Sequence, residues 1–71
     1  MPILVFKTNI ENFSQIRKIR PLLKKISEIQ HWNVDLNDTD RILRVEAKTL
    51  TPFTIEKVLV EAGYFCRELE D

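Results

Sequence analysis

One glycine, one cysteine, one histidine and one methionine among seventy-one residues leave little material for chemistry. A soft-metal site needs at least two thiolates, imidazoles or carboxylates within reach of one point. Cys66, His31 and Met1 fall on three separate segments with no paired spacing. Cys66 reads as a small strand residue and His31 as a surface residue starting a strand. The lone cysteine excludes an internal disulfide framework and fits a reducing compartment. There is no glycine-rich phosphate loop, and Ser14, Ser27 and His31 have no partner set for a hydrolytic triad. Asp35, Asp38 and Asp40 bracket a turn without the spacing of a calcium loop, so they read as solvated carboxylates. These absences argue against an enzyme and against any cofactor.

Charge of one sign is also missing. Eleven Lys and Arg balance eleven Asp and Glu, so no global field draws the chain to nucleic acid or acidic membrane. The apolar start at Ile3-Leu4-Val5-Phe6 lacks a basic flank and is far too short for a signal peptide. No segment approaches the roughly 20 apolar residues of a spanning helix, so membrane insertion is not expected. Few prolines and an ordinary apolar fraction argue against disorder. A small cytoplasmic protein of one domain, residues 1–71, is the expectation. At this size the core buries only about 60% of the unfolded surface, leaving a thin stability margin.

What is present has clear periodicity. Residues 3–6 suit a covered strand, with Lys7 and Thr8 emerging into solvent. Asn12 is the better helix cap, because three- and four-residue spacing of Ile16, Ile19, Leu23 and Ile26 begins after it. Leu22 and Ile29 widen that face. Pro21 lies inside the pattern and predicts a kink near residues 17–21 or a second helix start. Trp32, Val34 and Leu36 alternate with polar residues, and Leu43, Val45 and Ala47 do the same after an Asn-Asp-Thr-Asp turn, which predicts a hairpin over 31–36 and 41–47. Thr51-Pro52 opens a second helix with stripe Ile55, Val58, Leu59 and Ala62, stopped by Gly63, and residues 64–69 make a last strand. The order β-α-β-β-α-β is most economically buried as a ferredoxin-like α+β sandwich, a four-stranded antiparallel sheet with two helices on one face.

The strongest polar feature is the outer face of the first helix. Arg17, Arg20 and Lys24 fall in one stripe, with Lys18 and Lys25 beside it. The bland reading is a solvated face, and the functional one is a docking surface for an acidic protein partner. Nucleic acid is excluded as a partner by the neutral net charge. An RNA-binding sheet would need exposed aromatics, for which only Phe6 is a candidate.

Particular residues carry a family likeness. The apolar strand ending Phe6-Lys7, the segment Trp32-Asn33-Val34-Asp35-Leu36, the segment Leu43-Arg44-Val45-Glu46 and the closing Glu61-Ala62-Gly63-Tyr64 together resemble the heavy-metal-associated domain of copper chaperones and P-type metal ATPases. The resemblance implies the same fold and a metal loop reading Met-x-Cys-x-x-Cys, with the second cysteine starting the first helix. On the helix periodicity the two cysteine positions fall on Asn9 and Asn12, after Lys7-Thr8. Neutral amides are weak, hard donors and do not replace thiolates for Cu(I) or Zn(II). The resemblance also implies packing of Tyr64 under the loop and docking through basic helix residues, a role that Arg17, Arg20 and Lys24 match in kind.

The leading expectation is therefore a non-catalytic interaction module that lacks the metal site and docks through its first helix or its degenerate loop. A free sheet edge also admits a second copy, a homodimer. The alternative is a metal carrier with non-standard ligands, for instance Cys66 shared across a dimer. A ligand-sensing role for the open sheet face has no positive residue behind it.

Overall fold

The computed structural model describes residues 3–69; Met1, weighed above as a soft ligand, lies outside them. Strands and helices follow in the order β1 (Ile3–Thr8), α1 (Phe13–Lys24), β2 (Ile29–Asp35), β3 (Ile42–Ala47), α2 (Pro52–Glu61) and β4 (Cys66–Glu68). The sheet is antiparallel with strand order β2-β3-β1-β4, the ferredoxin-like arrangement. Alternation decides which residues enter the core. Leu4 opposes Val45 and Phe6 opposes Leu43, while Trp32 and Val34 oppose the same two β3 residues from the other side. Phe6, Leu43 and Val45 meet Ile16, Ile19 and Leu23 of α1 and Ile55 and Leu59 of α2 in one buried cluster. Each such side chain contributes roughly 1.5–3 kcal/mol by leaving water.

Several boundaries differ from the sequence reading, each for a local reason. β1 continues through Thr8, which is buried rather than emerging into solvent, because it pairs with Cys66 of β4. Phe6 is fully buried in the core, and by register and alternation the outer sheet face carries Ile3, Val5, Lys7, His31 and Arg44, with no Phe, Tyr or Trp among the described strand residues. That removes the candidate base-stacking platform.

α1 runs through Pro21 without a second start and ends at Lys24. The proline lies in the final turn, where it deletes the single bond to the Arg17 carbonyl and little else. Ile26 and Ile29 consequently leave the helix: Ile26 N–H closes a tight turn on the Leu23 carbonyl at 3.0 Å, and Ile29 opens β2. The hairpin strands shift to Ile29–Asp35 and Ile42–Ala47, with an irregular pairing between Ile29 and His31. Leu36 lies beyond β2, half-buried against the core.

At α2 the Thr51 hydroxyl does not cap the backbone; it pairs with the Thr54 hydroxyl at 3.1 Å. The helix stop is as expected. Gly63 adopts φ +95°, its N–H donates to the Val60 carbonyl at 3.0 Å, and the Tyr64 N–H donates to the Leu59 carbonyl at 2.9 Å. This paired closure needs a left-handed residue, which glycine supplies without strain. Residues 64 and 65 belong to the turn, so β4 is only three residues long.

Candidate functional site

The turn between β1 and α1 is held by backbone contacts from three sides. Thr8 sends its hydroxyl to the Arg41 carbonyl at 2.6 Å, accepts from the Ile10 N–H at 3.2 Å, and donates its own N–H to the Asp40 carbonyl at 3.1 Å. Ile10 is fully buried and pins the middle of the turn to the core. The Asn9 amide oxygen accepts from the Phe65 N–H at 2.8 Å, joining this turn to the one after α2. The Asn12 amide oxygen accepts from the Gln15 N–H at 2.9 Å, and the Gln15 side chain returns a bond to the Glu11 N–H at 2.6 Å. This is a reciprocal cap one residue out of the usual frame. Both amide oxygens at the expected thiolate positions are thus engaged by backbone donors.

Arg41 closes the third side, and the sequence gives no sign of it. It adopts φ +48°, unusual for a residue with a branched-off side chain, directly after the aspartate-rich turn. Its guanidinium donates to the Leu36 carbonyl at 3.3 Å and the Glu11 carbonyl at 3.4 Å. Lys7 and Asp40 form an exposed ion pair at 3.5 Å across the same seam, a contact worth at most about 1 kcal/mol.

The remaining candidates for metal chemistry do not converge. His31 is exposed opposite Glu46, one residue out of phase with inward-facing Trp32, whereas Cys66 is buried on the helix-facing side opposite Thr8. No group of three or more His, Cys, Asp or Glu among the described residues is placed to hold a metal ion. Burial, and then the carboxylate of Glu56, pushes the Cys66 thiol up to about 12. Two outcomes follow. Iodoacetamide is expected to leave Cys66 unmodified in the folded protein at mildly alkaline pH and to label it after unfolding in urea. Rapid native labelling would show a thiol that opens to solvent. A raised thiol pKa also favours the folded state below the ordinary thiol range near 9.0, and that contribution is lost as pH climbs from there towards about 12. The urea midpoint should therefore fall more steeply over that window in the native sequence than in Cys66→Ala.

Arg17, Arg20 and Lys24 all lie exposed on α1. The structure brings Arg20 and Lys24 together at the rim of one groove between α1 and β2, and Arg17 stands outside it. The exposed aromatics Phe13, Phe53 and Phe65 were not singled out by periodicity, because a lone aromatic on a helix start or in a turn has no period to violate. No helix among the described residues is long and apolar enough to cross a membrane.

No protein-family model and no curated protein matches this sequence. Among solved structures, the N-terminal domain of ZntA, determined in solution in its Zn(II) form, superposes with a TM-score of 0.81. The alignment covers 96% of this chain and 92% of the ZntA domain, at 19% sequence identity. The fold is heavy-metal-associated-like. At that identity the likeness to the ZntA domain lies in the path of the backbone. The motif's second cysteine starts the first helix, and α1 here starts at Phe13. A frame tied to that residue places the cysteine pair on Ile10 and Phe13, one residue beyond Asn9 and Asn12. Neither frame offers a thiolate.

Proposed function

We propose that this chain is a non-catalytic, heavy-metal-associated-like domain without the cysteine metal site, working in a reducing compartment as a docking module for an acidic protein surface. The donor set is what separates it from a metal carrier. Soft cations require thiolates or imidazoles, while the amide oxygens of Asn9 and Asn12 accept backbone N–H bonds and Cys66 is buried with its proton held. Among the described residues no group of three or more His, Cys, Asp or Glu is placed to hold a metal ion, which favours the docking reading over the metal-carrier alternative.

The observation that carries the docking role is the charge of α1. Residues 13–25 hold Arg17, Lys18, Arg20, Lys24 and Lys25 and no acidic residue, in a chain whose total charge is zero. All five side chains are exposed, and none is in a salt bridge among the described residues. A helix face that only needed solubility would ordinarily mix signs. An unscreened basic stripe beside a rigid turn favours encounter with an opposite charge and fixes orientation.

The test is charge reversal. Arg17→Glu, Arg20→Glu and Lys24→Glu together are expected to abolish capture of acidic proteins from lysate at low salt. Loss of favourable charge near the helix C-terminus should cost about 1 kcal/mol of stability, leaving a cooperative melt. Capture that survives the reversal would reduce the stripe to solvated surface.

A further inference from the structure

The groove behind the basic stripe has a shape and a chemistry of its own. It runs between α1 and the edge strand β2 with a volume of about 590 Å³. Ile29, Trp32 and Val34 supply an apolar wall, Phe13 stands at one end with 71% of its surface exposed, and Arg20 and Lys24 form the rim. No acidic residue lines it. β2 itself is seven residues long and contains no proline, lysine or arginine, the residues that commonly blunt an edge against further pairing. Its irregular pairing is confined to the Ile29 end, leaving His31 to Asp35 in regular register with β3. One side of that strand therefore presents alternate N–H and C=O groups outward beside a basic, apolar trough.

From this juxtaposition we propose that the α1–β2 groove receives an extended acidic segment of a partner protein as a fifth strand on β2. The proposal rests on the reading of α1 as a docking face and names the form of the partner: a strand whose helix-facing side, every second residue, carries both acidic and apolar side chains. Main-chain bonds to β2 give the strand its register. Apolar side chains on the helix side cover Trp32 and Val34, and carboxylates on that side reach Arg20 and Lys24. The other sheet edge does not match this chemistry. β4 has three residues, and the apolar surface of Phe53, Val60 and Phe65 beside it mixes Glu56 and Glu61 with Lys57 and Arg67. Charge complementarity singles out the β2 side.

Trp32 is the sole tryptophan of the chain and lines the groove, so its emission reports occupancy. The probe is an end-blocked synthetic peptide repeating Glu-Thr-Val-Thr, which places glutamate and valine in turn on one face, titrated into the full chain at low salt. Binding should shift Trp32 emission saturably and should weaken by about tenfold or more in Arg20→Glu/Lys24→Glu, since the reversal sets like charges against the peptide's carboxylates. The same peptide with every second backbone amide methylated keeps its charge and loses one hydrogen-bonding edge; each of the two methylation phases is made, and one of them is expected to abolish binding. If both methylated peptides bind as well as the parent, strand addition is overturned while docking on α1 stands. If the parent peptide leaves Trp32 unchanged although acidic proteins are still captured through α1, the groove proposal alone fails. Burial of Trp32 by concentration-dependent self-association without peptide would assign the edge to a second copy and overturn it as well.

Discussion

Replacing Phe6 with alanine is expected to leave the domain largely unfolded at 25 °C. Phe6 is wholly buried on the central strand β1, between Leu43 of β3 on one side and Glu68 of β4 on the other. It is the one fully buried aromatic of the core cluster among the described residues. Truncating a buried phenylalanine costs about 3–5 kcal/mol, through lost transfer energy and the cavity left behind. A core of this size rarely supplies more than about 3–5 kcal/mol of net stability. The two quantities are comparable, so the mutation removes most of the folded population. Phe6→Leu keeps most of the volume and should cost about 1.5 kcal/mol or less, giving a folded protein with a lower midpoint. Far-ultraviolet circular dichroism with thermal and urea melts distinguishes the two. A cooperative melt of Phe6→Ala within a few degrees of the native protein would mean that the sheet-to-helix core is not what holds the chain together.

The second large effect is a gain. Asn9→Cys with Asn12→Cys is expected to retain Cu(I) through exposure to a moderate chelator, where the native chain retains none. Both residues are exposed on the turn and lie three apart, the spacing of the two cysteines in the metal loop that the resemblance implies. Cu(I) is the appropriate probe because it is satisfied by soft sulfur ligands. The replacement removes the bond from the Phe65 N–H and the cap on the Gln15 N–H, at about 1 kcal/mol each. The apo variant should therefore melt roughly 8–16 °C lower, taking about 4–8 °C per kcal/mol for a domain of this length. Metal present at about a hundred times its dissociation constant returns about 2.7 kcal/mol, enough to offset that loss. Ile10→Cys with Phe13→Cys tests the frame set by the first residue of α1. Its disadvantage is plain, since Ile10 is fully buried and a thiol there faces the core. If neither pair acquires metal, the turn is not a metal loop that lacks its thiolates, and the resemblance extends no further than the path of the backbone.

The sandwich was legible in the sequence because its two periods are clean. Leu43, Val45 and Ala47 alternate, Ile16, Ile19 and Leu23 step by three and four, and each set went to the core as the pattern requires. Gly63 marked its own stop for the same kind of reason, being the only residue that adopts its φ without strain. The errors sit where tertiary contacts override local preference. Lysine and threonine at the end of β1 looked like an exit to solvent, but pairing with β4, a partner some sixty residues away, carried the strand on to Thr8. Apolar Ile26 and Ile29 extended the helical pattern on paper, although one serves a turn and the other a strand, and both still reach the core. The basic stripe could be placed on a helix, but the groove beside it could not be seen. Its depth depends on how far α1 stands from β2, and neither element encodes that distance alone. Arg41 was invisible for a related reason: its role comes from carbonyls at Leu36 and Glu11 that only the folded chain brings to it.

The three-residue length of β4 has a consequence for colloidal behaviour. β4 is all that separates the apolar strand Ile3–Thr8 from the outer edge of the sheet, and its pairing covers Phe6, Lys7 and Thr8. Short terminal elements with few ladder bonds open at a small fraction of the global unfolding energy. Each such opening would turn a central strand, rich in the residues that favour intermolecular β-stacking, into an uncapped one. The anchoring bonds from Leu69 N–H to the Val5 carbonyl at 2.8 Å and from Glu68 N–H to the Glu56 carboxylate at 2.8 Å hold that gate shut. Shelf life in concentrated solution should accordingly track the bond between the Glu56 side chain and the Glu68 N–H, lost in Glu56→Ala, more closely than it tracks the melting temperature.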